Sequence, residues 1–548
     1  FSVLVILGGF GAVLIRLGYW QIARGAELSS KADSQHFDSL ELTGIRGEIR
    51  ASDGSVLVDS AAAYLLYVYK PNFKGDANEV SNKLANILET QKAEEMKQKL
   101  LRDSTWELLA RSITPDQKGS IENLSISGLG FQSVSVRFYP EASMSAQVLG
   151  FVGNDAMGKP KGYFGLEGFY ERELRGIPGF IRQEKDAKGN PILVGSFQEI
   201  DSRSGRSIVI HIDRFVQYLV ENELKAALEK YGASAGETVV MDPKTGAIIA
   251  NAAYPNYDPT RFSSFPAEYY PNPAVLQSYE PGSTFKVLIM AAALTENLVT
   301  PDTRCDACAG PVKIGKYSIR TWDGHYRPDL TMTDVIIHSD NIGMVFVGQK
   351  LGEEKLVDYL KKFGIGQKTG IDLEEEATPA LRKKWGDIDV ATASFGQGVA
   401  VTTMQMIRAV GAIANHGVIM TPQVAAEIDG KKIQPKTGDR IVSQKAADEI
   451  KEMMIKAVQE GEAKFAAPKG YRIAGKTGTS QIPVAGHYDE DKTIASFVGF
   501  APADDPKFVM IVKLNNPTSS QWGAETAAPL WFSIAKKLLT YWNIPPSE

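Results

Sequence analysis

A helix that is apolar on every face belongs inside a large domain, and residues 287–294 of this chain, VLIMAAAL, describe one. They end a longer stretch, SYEPGSTFKVLIMAAAL (residues 278–294). Pro281 and Gly282 break the preceding segment, and helix-favouring residues take over from Ser283. The head of this buried element carries a hydroxyl and an amine, Ser283 and Lys286. Spaced i and i+3, they share one helix face, so the ammonium can approach the hydroxyl. The helix N-terminus adds positive potential and free backbone N–H groups, which suit a developing anion. A lysine among apolar neighbours loses its proton more readily than one in water. A neutral amine is the base that a serine needs to become a nucleophile. The competing reading is an N-capped core helix. Ser-x-x-Lys should occur about twice by chance in a chain this long, so the pair alone decides little.

Two downstream patterns accompany the pair. Ser339, Asp340 and Asn341 form the only SDN of the chain, within VIIHSDNIGMVF. KTG occurs four times, and three copies have ordinary explanations. Lys244 opens the turn of VVMDPKTGAIIA, between two β-branched runs. Lys368 lies in the glycine-rich loop FGIGQKTGIDL. Lys436 precedes Asp439 in a polar loop, where a carboxylate repels an anionic substrate. Only Lys476, Thr477 and Gly478 follow a strand-like run, YRIAG, and continue into the hydroxyl residues Thr479 and Ser480. That copy also comes after the other two motifs in chain order, and we assign the site to it.

A chain of 548 residues is too long for one core and implies about three units. A net charge of −5 gives no reason to expect nucleic acid. Two cysteines, Cys305 and Cys308, exclude a disulfide framework, and their CxxC spacing lacks the second pair of a zinc site. A local disulfide or two idle thiols is the expectation; Asp302 and His325 lie near enough in sequence to keep a metal weakly in view. The first 22 residues, FSVLVILGGFGAVLIRLGYWQI, are long and apolar enough to span a bilayer. They end in Tyr19 and Trp20, interfacial aromatics, and Arg16 sits close enough to the end to snorkel. No small-residue cleavage site follows, so an uncleaved anchor is expected. The chain starts at Phe1 and not at methionine, so residues upstream are expected.

Between residues 26 and 206, short strands alternate with charged helices and no nucleophile motif appears. Residues 79–102 read as a solvated helical insert, residues 137–153 as β-rich, residues 162–179 as a glycine-bracketed helix, and residues 188–191 (KGNP) as a turn. From Ser207 the character changes. IVIHID leads into an amphipathic helix over residues 214–231, then two strands around a turn. The buried serine helix, a helical region, strands from Thr493 to Lys513 and a terminal helix over residues 529–542 follow. The order predicts an α/β (α+β) fold, with helices flanking an antiparallel sheet.

From anchor to terminal helix the chain resembles the class B penicillin-binding proteins, the monofunctional transpeptidases of bacterial wall synthesis. The resemblance rests on RGEI at residues 46–49, RFYP at 137–140, GLEGFYERELRG, YEPGSTFK, SDN, GQG at 396–398, KTGTSQ and FVGFAPADDPKFVMIV. Arg50, Ala51 and Ser52 depart from it, since such proteins usually place an Asp-Arg pair after RG-x-I. The SxxK, SDN and KTG trio belongs also to class A β-lactamases. The resemblance implies a membrane anchor over 1–22, an elongated dimerisation-like pedestal over 23–206 and a transpeptidase domain over 207–548.

It also implies the roles. Ser283 attacks the carbonyl of a D-alanyl-D-alanine stem peptide and Lys286 takes its proton. Ser339 relays that proton to the leaving amine, and Asn341 holds Lys286 and the substrate amide. Lys476 and Thr477 receive the terminal carboxylate. Gly478 leaves room for the substrate to lie against the strand. Backbone N–H groups of Ser283 and Thr479 form the oxyanion hole. Asp340 receives no chemical role. No cofactor or metal is implied. Implied partners are peptidoglycan stem peptides, lipid-linked precursor strands, β-lactam inhibitors and, since no run fits a glycosyltransferase, a membrane glycan polymerase of the shape, elongation, division and sporulation family. The implied location is the bacterial cytoplasmic membrane, single-pass, with the catalytic domain outside. The rivals are a serine β-lactamase or β-lactam sensor, which has no evident need of so large a pedestal, and a non-enzymatic scaffold, which has no need of Lys286.

Overall fold

The computed structural model describes residues 2–42, 44–89, 92–184, 192, 197–484 and 487–546. The chain forms two compact units and passes between them more than once. One comprises Phe1–Gly47, Ser60–Val136 and Arg172–Arg206; the other comprises Glu48–Asp59, Arg137–Glu171 and Ser207–Glu548.

In the first unit, Ser2–Gly18 is an α-helix that continues through a π-helical turn at Tyr19–Ala23. Together they make 22 residues, long and apolar enough to cross a membrane, and they fit a single-pass anchor. The guanidinium of Arg16 lies over the Trp20 ring, 5.8 Å from its centre. Further along, Trp106–Ile113 runs antiparallel to residues 64–69 of the strand Val56–Tyr69. Helices Ala77–Ile87 and Ala93–Leu101 pack on these strands. The solvated insert expected over residues 79–102 is thus corrected. Val80 with Leu84, and Met96 with Leu100, form i, i+4 stripes that join Leu66, Val68, Leu109 and Ile113 in one core. The lysines and glutamates of both helices occupy the opposite faces and mask that stripe in composition. The KGNP turn expected at residues 188–191 lies outside the described residues.

In the second unit, the helix expected over residues 162–179 is interrupted. Phe164 and Gly165 have φ of 59° and 47°, so the chain turns between the strand Pro160–Tyr163 and a short helix, Gly165–Phe169. A Cβ on Gly165 would lie 2.4 Å from the Val148 carbonyl oxygen. The buried Arg137 Nε donates to Glu167 Oε1 at 2.6 Å and joins RFYP to GLEG.

The rest of that unit is built on five strands. In chain order its main elements are α1 (Arg214–Tyr231), β1 (Ala235–Met241), β2 (Ile248–Tyr254), α2 (Lys286–Thr295), α3 (Met332–Ile337), α4 (Asn341–Lys362), α5 (Thr403–Ala414), α6 (Gln444–Glu460), β3 (Ala474–Val484), β4 (His487–Ala501), β5 (Phe508–Asn515) and α7 (Ala527–Tyr541). The strands form an antiparallel sheet in the order β2-β1-β5-β4-β3, which leaves β3 at an edge. Alternation along β5 decides which residue faces which layer. Phe508, Met510, Val512 and Leu514 pack with Val216, Val220 and Leu224 of α1 and Trp531 and Leu538 of α7. Val509 and Lys513 face the other way, towards α5, whose Thr403 Oγ1 donates to Glu237 Oε1 at 2.7 Å. Lys513 forms a buried ion pair with that glutamate. Helix α2 lies against α4 and α6, and from Lys286 to Leu294 every residue on it is buried.

Candidate active site

The serine stands one turn ahead of the α-helix. Gly282–Phe285 is a 3-10 turn, and α2 begins at Lys286. In a 3-10 turn, residues i and i+3 eclipse, which keeps Ser283 and Lys286 on one side. Glycines clamp the turn from two directions. Gly282, at φ 54°, donates its N–H to the Gly396 carbonyl at 3.1 Å, and a Cβ on Gly396 would lie 2.1 Å from the Gly282 oxygen. Gly398 N–H donates to Glu280 Oε1 at 3.0 Å. GQG therefore holds the segment just before Ser283.

Lys286 is completely enclosed. Its Nζ donates to the Ser339 carbonyl oxygen at 2.5 Å, to Ser339 Oγ at 3.3 Å and to Asn341 Oδ1 at 2.8 Å. Among the described residues, Ser283 Oγ is not one of its hydrogen-bond partners. Burial is the main cause that pulls the amine down to about 7, with the Lys476 charge acting in the same direction. Asp340 and Glu462 oppose that fall. Ser339 adopts φ 55° between α3 and α4, and Asn341 is the first residue of α4, its Nδ2 donating to the Arg320 carbonyl at 3.3 Å. Asp340, given no role from sequence, caps α4 by accepting the Gly343 N–H at 2.7 Å. The cap fixes the helix end from which Asn341 reaches the lysine.

The opposite wall is the start of β3. Lys476 is buried, and its Nζ donates to Thr477 Oγ1 at 3.2 Å. Burial lowers its pKa and the Glu462 carboxylate offsets part of the fall. Thr477 Oγ1 donates to Glu462 Oε2 at 3.3 Å. Thr479 Oγ1 accepts the Gly523 N–H at 2.9 Å. Gly478 serves the packing of β3 itself. A Cβ there would lie 2.6 Å from Ser496 Oγ and 2.7 Å from Thr284 Cγ2. The glycine lets β3 approach the serine turn.

These pieces converge on a cleft of about 300 Å³, lined among others by Ser283, Ser339, Asn341, Thr477 and Thr479. The other KTG lysines are elsewhere: Lys244 pairs with Asp505 at the β1–β2 turn, and Lys368 and Lys436 are exposed. Sequence reasoning missed Glu462, and also Trp322 and Trp522, whose rings stand 5.3 Å apart at the cleft. No motif marks them, because they arrive from loops distant in sequence. Gln397, likewise in the lining, was within reach through GQG. Cys305 and Cys308 form a disulfide, which leaves neither sulfur as a thiolate ligand for a metal.

A serine beside a buried amine, facing an edge strand that carries a cation and hydroxyls, is the arrangement of a serine acyltransferase. Comparison with known proteins agrees. Residues 236–540 match the penicillin binding protein transpeptidase domain and residues 41–210 the penicillin-binding protein dimerisation domain. Stage V sporulation protein D of Bacillus subtilis is 34% identical over 560 residues, covering 99% of this chain and 86% of that protein. Peptidoglycan D,D-transpeptidase FtsI of Escherichia coli K12 is 31% identical over 443 residues, covering 80% and 73% respectively. Among solved structures, a peptidoglycan synthetase from Bifidobacterium adolescentis superposes with a TM-score of 0.74 at 25% identity, covering 93% of this chain and 98% of its own. Penicillin binding protein 3 of Mycobacterium tuberculosis, solved with aztreonam, gives 0.71 at 26%, covering 93% and 98%. The chain belongs to the class B penicillin-binding proteins, in which a dimerisation domain precedes a transpeptidase domain.

Proposed function

We propose that this protein is a peptidoglycan D,D-transpeptidase that works through a Ser283 acyl-enzyme and is acylated there by β-lactams. The observation that carries the proposal is Lys286, a fully buried amine held by Ser339 and Asn341 and brought down to about 7. Such an amine is half neutral near physiological pH, the condition for a general base. Ser283 Oγ attacks the penultimate D-alanine carbonyl of the donor stem peptide while Lys286 takes its proton. The proton passes by way of Ser339 to the amine of the departing D-alanine. Lys476 and Thr477 receive the donor's terminal carboxylate, and the N–H groups of Ser283 and Thr479 stabilise the oxyanion. The free edge of β3 is suited to an extended peptide added as a further strand. An amine from a second stem peptide then attacks the ester, forms the crosslinking amide and returns the proton to Ser283.

Residues 1–22 serve as the anchor, 23–206 as the non-catalytic pedestal and 207–548 as the catalytic portion, on the outer side of the cytoplasmic membrane. A membrane polymerase of the shape, elongation, division and sporulation family supplies the glycan strands.

Intact-mass measurement after labelled penicillin, with and without a donor–acceptor peptide pair, tests the proposal. A lasting adduct on Ser283 together with a crosslinked dimer is expected. An adduct lost within seconds indicates a hydrolase, an adduct without crosslinking a sensor, and no adduct a scaffold. Each of these refutes the transpeptidase reading.

A further inference from the structure

The carboxylate of Glu462 has no place in that mechanism, although it lies inside the cleft. It comes from the segment between α6 and β3 and shares the cleft wall with Ser283, Ser339, Asn341 and Thr477. Its Oε2 accepts a hydrogen bond from Thr477 Oγ1 at 3.3 Å, and that hydroxyl accepts one from Lys476 Nζ at 3.2 Å. An ammonium, a hydroxyl and a carboxylate are thus linked in series. The first two are the groups assigned to the donor's terminal carboxylate. A negative charge already stands where an anionic ligand has to arrive.

We propose that Glu462 is a positioning residue that acts in the empty cleft as a stand-in for the substrate carboxylate. It holds the Thr477 hydroxyl turned into the cleft beside the buried Lys476 cation, and an incoming carboxylate takes over that hydrogen bond. The inference rests on the roles given above to Ser283, Lys286, Lys476 and Thr477. Two effects of definite sign follow. An anion bound next to Glu462 works against its charge, whereas a neutral ligand does not. The same charge favours the ammonium form of both lysines, against the burial that disfavours it. The charged groups at this centre are Lys286 from α2, Lys476 from β3, Asp340 at the head of α4 and Glu462 itself.

Glu462→Gln keeps one oxygen to which Thr477 can donate, removes the charge and turns the second oxygen into an amide NH2. Acylation of Ser283 in the full chain is measured with benzylpenicillin and with its methyl ester across the acid range. Apparent affinity is separated from the limiting rate. The glutamine variant is expected to bind the free acid about three- to tenfold more tightly, an effect worth half to one pH unit. The ester is expected to gain nothing, and the acid limb of the rate to move to lower pH. Glu462→Asp, which keeps the charge, is expected to retain the wild-type acid-to-ester ratio, and so separates charge from any damage to the loop. An unchanged ratio together with an unmoved acid limb in Glu462→Gln overturns the inference. A wild type that penicillin does not acylate at Ser283 overturns the transpeptidase reading itself, and this inference with it.

Discussion

Lys286 offers the sharpest test, because its chemistry depends on whether it is charged. An ordinary lysine at 10.5 is neutral about once in three thousand molecules at pH 7; one at about 7 is neutral in about half. Enclosure therefore raises the supply of base at neutral pH about a thousandfold. The corresponding bias against the ammonium is about 5 kcal/mol, at roughly 1.4 kcal/mol per pH unit. Its linkage to stability has a definite sign. The folded-state pKa is depressed, so between about pH 7 and 10.5 the unfolded chain binds more protons than the folded one, and stability rises with pH through that window. Below about pH 7 the full bias weighs against folding. For catalysis, acylation by a fluorescent penicillin should level off above about pH 7. It should fall about tenfold for each pH unit below about 6, following the neutral fraction. Lys286→Arg preserves the positive charge but cannot lose its proton. Its acylation rate at neutral pH should be about a hundred- to ten-thousandfold lower, the usual contribution of a general base. Stopped-flow traces for both proteins, with the adduct mapped to Ser283, provide the measurement. A flat profile from about pH 5 to 8, or an arginine variant within a few-fold of wild type, would sink the argument.

Lys476→Ala should slow acylation strongly, while Lys244→Ala, Lys368→Ala and Lys436→Ala leave it nearly unchanged; the acylation rates of the four variants identify the working copy. Gly478→Ala places a methyl 2.6 Å from Ser496 Oγ and 2.7 Å from Thr284 Cγ2. It should cost about 1–3 kcal/mol of stability and slow acylation by pushing the serine turn away, both checked by thermal melting and penicillin labelling. Asp340→Ala removes the cap of α4 and should lower stability by about 1 kcal/mol in denaturant unfolding. Asp340→Asn keeps a capping side chain but removes a charge that favours the Lys286 ammonium, so its melting should be near wild type and its acid limb should shift to lower pH.

Much of this protein is legible from local pattern. The buried helix behind Ser283, the helix Arg214–Tyr231 and the turn that carries Lys244 all follow from periodicity and turn chemistry, which act over a few residues. The terminal helix, Ala527–Tyr541, begins and ends within two residues of the expected bounds, the ordinary uncertainty of a fraying helix end. Ser283 and Lys286 stand out by their i, i+3 spacing at the head of a buried helix, whereas Ser339, Asn341 and Lys476 are carried over from the motifs of a resembling family. Packing decided what pattern does not carry. The two helices of the first unit look solvated by composition, yet four apolar side chains are enough to seat them on a core. The division into units places residues 48–59 and 137–171 in one compact unit with residues 207–548, since compactness is a property of contacts and not of chain order. Only the approach of Thr284 and Ser496 shows that Gly478 is also needed to pack β3 against the serine turn. Glu462 bears no sequence signal at all. Its role depends on a 3.3 Å contact with Thr477, fifteen residues further along the chain, and on the fields of two buried lysines, and such distances exist only once the sheet has closed over α2.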